Sequence, residues 1–143
     1  MSTLSWNCRG LGSPQTVREL VDLVSTKRPK VVFLMEVKVG KAHVERLKNK
    51  LNFESMFNVD SVRGGRGLAL LWKEKDWVHL LSYSNNHVDV DVIILGMSRW
   101  RMTRFYGMPE RGTRNDSWYL LRCLSLRSSL PWCCLGDFND LLA

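Results

Sequence analysis

The sequence predicts a mixed α/β fold in which sheets and helices form layers. Three observations support that prediction. Apolar runs alternate with helically spaced apolar residues over the first fifty residues, alternating strands fill the middle of the chain, and a helix followed by an apolar run comes last. With 143 residues, of which 45% are hydrophobic and 24% charged, the chain is long and apolar enough to bury a core as one domain.

The N-terminal residues predict a strand, a helix and a second strand. The segment TLSWNC is typical of a short strand, and RGLGSP interrupts it with two glycines and a proline. Ser13 is suited to cap a helix whose first residue is Pro14. Helical spacing of apolar residues follows at Val17, Leu20, Val21 and Val24. The run VVFLM at 31–35 is continuous and apolar, as in a strand buried on both faces.

The middle of the chain predicts one more helix and several strands. The helix has one apolar side, formed by Val44, Leu47 and Leu51. The segments FESMFNVD and LALLWK are strand-like, and RGGRG between them is typical of a turn. The alternation in WVHLLSYSNNHVDVDVIIL indicates two strands joined by a turn near Asn85 and Asn86.

The end of the chain predicts a strand, a helix and a final strand. The segment RWRMTRFY alternates and stops at Gly107. Asn115 or Asp116 is placed to cap the helix. Its apolar residues are Trp118, Leu121 and Leu124. Pro131 then begins the strand that carries WCCLG.

Charge is uneven along the chain, and the formal net charge is +7. Residues 1–50 hold ten Lys and Arg against four acids, and residues 99–127 hold seven against two. Two basic blocks around a middle without excess positive charge favour a polyanionic partner, most simply nucleic acid. A solvated basic face without any partner is the alternative.

Cysteine usage and hydropathy argue against some protein classes. The four cysteines form no C-x-x-C pair and no cysteine–histidine pair at zinc spacing. Cys133 and Cys134 lie in an apolar run, where we expect small buried residues, and this suits a reducing compartment. No apolar run approaches the roughly 20 residues of a membrane helix, and MSTLSWNCRG lacks the apolar core of a signal peptide. We therefore expect an intracellular protein without a membrane partner.

Two carboxylates directly follow predicted strands. Glu36 comes after VVFLM, and Asp137 comes after WCCLG. Sites in α/β sheets gather at the carboxyl ends of strands, and carboxylates with amide oxygens suit Mg²⁺, which keeps several waters. Such a site with an activated water is one way to hydrolyse a phosphodiester. For each acid taken alone, a solvated side chain or a turn cap is the alternative.

Three more polar residues stand near strand ends. Asn7 ends the first strand, and Asn139 lies two residues after Asp137, so that on a strand both would face the same way. Tyr106 precedes Gly107 at a strand end, where a phenol could reach a site. A partly buried aromatic ring with a polar tip is the alternative for this tyrosine.

Taken together and in order, several segments resemble the endonuclease/exonuclease/phosphatase superfamily. They are SWNCRGLG, VVFLMEVK, GGRGLALLWK, FYGMPE and LPWCCLGDFND. The amino-acid sequences of these segments are close to those of the endonuclease domain of plant non-LTR, LINE-type retrotransposons, and the resemblance covers nearly the whole chain. It implies a four-layer α/β sandwich of two sheets and helices with the site at one edge. It also implies hydrolysis of DNA phosphodiesters in the nucleus with Mg²⁺, or with Mn²⁺ in its place.

The resemblance implies a role for each residue that matches a family motif. Glu36 resembles the metal-binding glutamate, and Asn7 resembles the asparagine that assists the metal. Asp137 resembles the aspartate that orients or deprotonates the attacking water. Asn139 resembles the asparagine that holds the phosphate and metal region, and Tyr106 resembles the tyrosine that supports the scissile phosphate.

The chain departs from the family pattern after GDFND. The family continues with further strands and a late Asp-His pair, whereas none of His43, His79 and His87 follows an aspartate. We interpret these histidines as structural or surface residues. Residues 1–143 are then expected to be the N-terminal part of the domain, mainly its first sheet and helices, and to be catalytically incomplete. A sheet face without its packing partner would favour marginal stability or self-association.

Two other functions stay open on the sequence alone. A non-catalytic nucleic-acid-binding module is supported by a cluster of arginines with two tryptophans that could stack on bases. These residues are Arg99, Arg101, Arg104, Arg111, Arg114, Trp100 and Trp118. Arg104, Arg111 and Arg114 are the candidates for DNA contacts, and a solvated face is the alternative. A phosphatase for small phosphoesters is the third function. The similarity of the segments SWNCRGLG and FYGMPE to retroelement domains argues against it.

Overall fold

A computed structural model describes residues 2–60, 67–106 and 114–137, with the backbone alone at Arg114 and Asp137. Within these ranges the chain forms eight strands, three α-helices and one 3₁₀-helix. These elements confirm the mixed α/β class that the sequence predicts. The chain divides into two compact units, Met1–Val78 and His79–Ala143.

The first unit is built on a four-stranded sheet with two helices. In chain order its elements are β1 (Thr3–Asn7), α1 (Pro14–Lys27), β2 (Val31–Met35), α2 (Lys41–Lys50), β3 (Ser55–Val59), β4 (Leu68–Trp72) and a 3₁₀-helix at Lys75–Trp77. The strand order is β1-β2-β4-β3, with β1 parallel to β2 and the other neighbours antiparallel. Because β1 and β2 are parallel, their carboxyl ends meet at one edge of the sheet.

One apolar core joins both helices of the first unit to its sheet. Leu20 of α1 and Leu47 of α2 belong to a buried cluster with Val32, Leu34 and Leu71 of the strands. The cluster takes alternate residues of β2, so it lies on one face of the sheet. All five residues of β2 and of β4 are buried, as continuous apolar runs predict for strands that are covered on both faces.

Helix α1 begins and ends close to the predicted positions. Ser13 occupies the N-cap and Pro14 the first helical position, although the Ser13 side chain makes no capping hydrogen bond. The helix ends at Lys27, and Arg28 follows in the left-handed conformation with its N–H bonded to the Val24 carbonyl. The ring of Pro14 fixes its φ angle at a helical value. This restriction therefore defines the start of the helix more than a side-chain cap does.

The second unit is built on another four-stranded sheet with one helix. Its elements are β5 (Val78–Tyr83), β6 (His87–Val92), β7 (Trp100–Tyr106), α3 (Arg114–Ser125) and β8 (Trp132–Asp137). The strand order is β5-β6-β7-β8, in which β6 and β7 are antiparallel and β7 and β8 parallel. The chain thus forms a second sheet in addition to the first.

Helix α3 starts earlier than the sequence predicts. It begins at Arg114, so Asn115 and Asp116 lie in its first turn and are not caps. Asp116 still suits that turn because the helix N-terminus carries partial positive charge. Leu124 is fully buried, whereas Trp118 is 39% exposed.

Among the helices of the described ranges, none is both long and apolar enough to cross a bilayer.

All six residues of β6 are buried, including its acidic side chains. Asp89 accepts hydrogen bonds from Arg101 Nε at 2.8 Å, from Arg101 Nη2 at 2.7 Å and from Thr103 Oγ1 at 2.8 Å. Asp91 forms an ion pair with Arg99. These partners lie on or just before the neighbouring strand β7, so pairing across strands is what lets the polar side of β6 be buried.

Candidate active site

The parallel pairing of β1 and β2 brings two predicted metal ligands to one edge of the first sheet. Asn7 is the last residue of β1, and its register partner is Met35, the last residue of β2. Glu36 follows Met35 directly, and both Asn7 and Glu36 are half-buried. A carboxylate and a carboxamide therefore stand at adjacent strand ends.

Backbone hydrogen bonds connect the two loops that follow these strands. Three of them run from the N–H groups of Cys8, Gly10 and Leu11 to the carbonyls of Met35, Glu36 and Val37, at 3.1, 2.8 and 2.9 Å. The ladder between β1 and β2 thus continues past the strand ends. As a result, the backbones of Asn7 and Glu36 are held in a fixed relation to each other.

The backbone at this edge adopts an uncommon conformation. Arg9, Glu36 and Lys38 have positive φ angles of 49°, 52° and 55°, respectively. For a residue with a Cβ this left-handed conformation costs on the order of 1 kcal/mol. Such conformations concentrate at functional sites, where surrounding contacts hold them. The turn at Glu36 is therefore imposed by the bonds between the loops.

The neighbours of Asn7 and Glu36 define the local chemistry. Asn7 Oδ1 accepts a hydrogen bond from the Arg9 N–H at 3.1 Å, which orients its amide group. Cys8 is buried, and its Sγ donates to the Met35 carbonyl at 3.0 Å. Burial raises the pKa of the Cys8 thiol, and the negative charge of Glu36 raises it further. The raised pKa favours the neutral thiol form of Cys8.

The donor atoms at this edge fit a hard divalent cation. Carboxylate and carboxamide oxygens are ligands that Mg²⁺ accepts, and water completes its octahedral shell. Over the described ranges, no group of three or more His, Cys, Asp or Glu is placed to hold a metal ion. Two ligands from Glu36 and Asn7 would leave positions in an octahedral shell for water or phosphate oxygens, as is common for Mg²⁺.

The second sheet places two further predicted site residues side by side. Tyr106, the last residue of β7, is the register partner of Asp137, the last residue of β8. Tyr106 is buried, and its N–H donates to the Asn86 carbonyl at 2.7 Å. The Asn86 side chain donates in return to the Tyr106 carbonyl at 2.9 Å. Asn86, which the sequence indicated only as a turn residue, thus fixes the end of β7.

Gly136 allows β8 to approach β7 just before Asp137. Its φ is +153°, and a Cβ at this position would lie 1.6 Å from the carbonyl oxygen of Phe105. No side chain fits into that space, so the position requires glycine. The sequence analysis missed this role, although a glycine inside a predicted strand is a signal of close backbone approach.

Other predicted site residues cannot be located in the same way. Asn139 and Arg111 lie outside the described residues, and the side chains of Asp137 and Arg114 are not described. The structure therefore brings together Asn7 with Glu36 in the first unit and Tyr106 with Asp137 in the second. The catalytic roles of all these residues stay predictions.

The arginines expected to contact nucleic acid are largely buried where they are described. Arg101 is 1% exposed and is bonded to Asp89, and Arg104 is fully buried. Within the described ranges, the three guanidinium nitrogens of Arg104 have no hydrogen-bond partner. Burial lowers the pKa of Arg104 to about 10. Arg99 is more exposed but is paired with Asp91, so these residues do not form an open arginine surface.

The positions of the histidines fit their interpretation as structural or surface residues. His43 lies on α2, and His79 is exposed on β5. His87 is buried on β6, with its ring nitrogens 3.1 Å from Ser82 Oγ and 2.6 Å from Ser84 Oγ. Cys133 and Cys134 are half-buried, less covered than the sequence predicted, because β8 lies at the edge of the sheet that the described strands form.

Comparison with known families agrees with this architecture. The model of the Endonuclease/Exonuclease/phosphatase family matches residues 4–142. No curated protein sequence matches the chain. The family match therefore extends over both units and over all the residues predicted for the site.

Solved structures share the fold at low sequence identity. A humanized D. rerio TDP2 has a TM-score of 0.74 at 19% identity, over 99% of this chain and 67% of that one. The endonuclease domain of TRAS1, a telomere-specific non-LTR retrotransposon, has a TM-score of 0.65 at 16% identity, over 97% of this chain and 60% of that one. The 3′ phosphatase NExo from Neisseria, bound to a product DNA hairpin, has a TM-score of 0.69 at 17% identity, over 97% of this chain and 58% of that one. The chain thus spans about three fifths to two thirds of these structures.

Proposed function

Because the chain belongs to the Endonuclease/Exonuclease/phosphatase family, we propose that it is part of a Mg²⁺-dependent DNA endonuclease domain of a non-LTR retroelement, of the plant LINE type. The observation that carries the proposal is the pair Asn7 and Glu36 at adjacent ends of parallel strands. The fold shared with the endonuclease domain of TRAS1 supports the retroelement assignment.

We propose DNA as the substrate of that domain. The net charge of +7 suits a polyanion, which a basic protein attracts over distances of about one Debye length, roughly 8 Å at physiological salt. A protein with the same fold, the 3′ phosphatase NExo, is bound to a product DNA hairpin. A nuclear site of action belongs to the same proposal, since the substrate would be genomic DNA.

In the proposed site, each residue has one task. Glu36 and Asn7 would hold Mg²⁺, which when bound neutralises charge on the phosphate. Asp137 would orient the attacking water and accept its proton as general base. Tyr106 would support the scissile phosphate with its phenol, and Asn139 would hold the phosphate region. Preorganised groups of this kind stabilise the charge that develops in phosphoryl transfer.

We also propose that the 143-residue chain alone is catalytically incomplete. None of its histidines follows an aspartate, and they lie on α2, β5 and β6. The late Asp-His pair that the family resemblance implies is therefore not provided by these histidines. Self-association is a further part of the proposal, supported by Leu80, Leu81 and Tyr83, which are exposed on the edge strand β5.

Nicking of supercoiled plasmid tests the proposed function. The purified chain is assayed with Mg²⁺ and with EDTA, beside Glu36→Ala and beside Glu45→Ala, an exposed glutamate on α2 that carries the same charge change. DNA binding is measured in parallel. Nicking that requires Mg²⁺ and Glu36 but not Glu45 supports the endonuclease and shows that the chain is sufficient by itself.

Three other results separate the alternatives. DNA binding that Mg²⁺ strengthens through Glu36, without nicking, supports a metal site in a chain that is catalytically incomplete. DNA binding that ignores Mg²⁺ and Glu36 and falls steeply with salt contradicts the proposal and favours a basic binding module. Hydrolysis of p-nitrophenyl phosphate without DNA nicking favours a phosphatase of the same family.

A further inference from the structure

A second candidate site lies at the end of the first sheet that is opposite to Asn7 and Glu36. It is a cavity of about 490 Å³ at the ends of α1 and α2 and beside the residue that follows β4. Arg28, which lines it, precedes β2, whereas Glu36 follows β2. At about 3.3 Å per strand residue, roughly 15 Å of strand separates the two ends.

Three cations line this cavity: Arg28, Lys50 and Lys73. All three are exposed, and the ion pairs of the described residues include none of them. Glu54 is an acid two residues after Asn52 of the cavity lining. It accepts a hydrogen bond from the backbone N–H of Lys75 at 2.9 Å and takes part in none of the ion pairs of the described residues. Like charges around one cavity repel each other, and an anion between them would remove that repulsion.

Helix ends do not account for all three cations. Basic residues are favourable near helix C-termini, where Arg28 and Lys50 stand. The carbonyls of Val24 and Leu47 nevertheless have backbone partners already, each with an N–H at 2.9 Å. Lys73 follows a strand, so no helix dipole explains its place at the cavity.

The backbone also brings Arg28 to the cavity in an uncommon conformation. Arg28 and Asn52 both line the cavity and have positive φ angles of 48° and 59°. Glycine or asparagine is usual at such a position after a helix. Asn52 follows that preference and Arg28 does not, so the guanidinium reaches the cavity in spite of backbone strain.

Part of the lining of the cavity is apolar. It includes Val24 and Phe53, which are buried, and Leu51, which is half-buried. The volume falls within the roughly 300–1,000 Å³ of small-molecule sites. We propose that this cavity binds an organic phosphate of nucleotide size, with its phosphate at Arg28 and Lys73 and its ring against the apolar residues of the lining.

Calorimetric titration of the 143-residue chain with deoxyadenosine monophosphate tests this site. EDTA is present, so that divalent cations do not contribute. We expect saturable binding that weakens about tenfold or more in the double variant Arg28→Gln with Lys73→Gln, because charge-assisted bonds to phosphate are lost. The double variant Arg18→Gln with Lys41→Gln removes the same charge from exposed positions outside the cavity and should bind within about twofold of the parent. Circular dichroism confirms that the variants fold.

Several results would overturn the inference. They are the absence of saturable binding, an equal loss in both double variants, and a loss caused by Glu36→Ala, which would assign the ligand to the other end of the sheet. Inorganic phosphate that binds as tightly as the nucleotide would overturn the organic class. A 5′-phosphorylated tetranucleotide identifies the source: binding through Arg28 and Lys73 supports a strand end, and failure to bind supports a free nucleotide.

Discussion

The guanidinium of Arg104 is fully buried on β7, and over the described ranges none of its three nitrogens has a hydrogen-bond partner. Arginine is rarely buried without a partner, because the charged group loses its water without replacement. Desolvation lowers its pKa to about 10, which still leaves the side chain charged at neutral pH. Within the described residues, no partner offsets the free-energy cost of burying the Arg104 guanidinium.

Replacing Arg104 by methionine should stabilise the protein. Methionine has a similar length and no charge, so we expect Arg104→Met to raise the free energy of unfolding by about 2 kcal/mol. Urea unfolding measures the change, and Arg18→Met on the exposed side of α1 is the control, expected within about 0.5 kcal/mol of the parent. Destabilisation by Arg104→Met would instead indicate an anionic partner beyond the described residues.

His87 should make stability depend on pH. Burial lowers its pKa from 6.5 to about 4, an effect that Asp89 partly opposes. Between these values the unfolded chain binds a proton that the folded chain does not, so stability falls as the pH drops from 6.5 to 4. We expect a loss on the order of 2 kcal/mol over this window.

The variant His87→Gln isolates this contribution in thermal unfolding between pH 7 and pH 4. Its stability should fall less with acidification than that of the parent, because the titrating imidazole is gone. Equal slopes for the parent and His87→Gln would show that His87 is protonated equally easily in both states.

At the scale of elements, the pairing of β7 with β8 depends on Gly136. A Cβ there would meet the Phe105 carbonyl oxygen at 1.6 Å, so Gly136→Ala should destabilise the protein by about 3 kcal/mol. Gly96→Ala is the matched control, because Gly96 also has a positive φ but open space around it. We expect a smaller loss there, about 1 kcal/mol, from the backbone alone. Similar urea midpoints for both variants would contradict the required close approach.

Most elements could be predicted because their signals are local. The apolar run of β2, and Pro14 at the start of α1, each depend on a few adjacent residues. The burial of Asp89 could not be predicted, since its partner Arg101 lies twelve residues away on another strand. The start of α3 was also predicted too late, because two neighbouring residues were both good caps and neither is used as one.

The candidate site was predictable in part for the same reason. Strand-end positions of Asn7 and Glu36 follow from the lengths of two apolar segments and the parallel pairing of their strands. The left-handed turn at Glu36 depends on hydrogen bonds from the loop after β1, which are contacts between distant segments. No local pattern reports such contacts, and the same holds for Asn86 at the end of β7.

At the scale of the whole molecule, the two basic blocks differ in what they offer a partner. The first block includes exposed cations such as Arg28 and Lys50, which line a cavity. In the second block, Arg101 and Arg104 are buried, whereas Arg122 and Arg127 are exposed. Net charge alone indicates a polyanionic partner for both, but exposure favours the first unit as the place where an anion would bind.

The central claim is that Glu36, with Asn7, holds a divalent cation at the carboxyl ends of β1 and β2. Binding of Mn²⁺, followed by electron paramagnetic resonance with Mg²⁺ as competitor, tests it most directly, because it does not require turnover. We predict a site that Mg²⁺ displaces and that Glu36→Gln weakens about tenfold or more, while Glu45→Gln leaves it unchanged. Equal binding by the parent, Glu36→Gln and Glu45→Gln, or no binding by any of them, would contradict the claim.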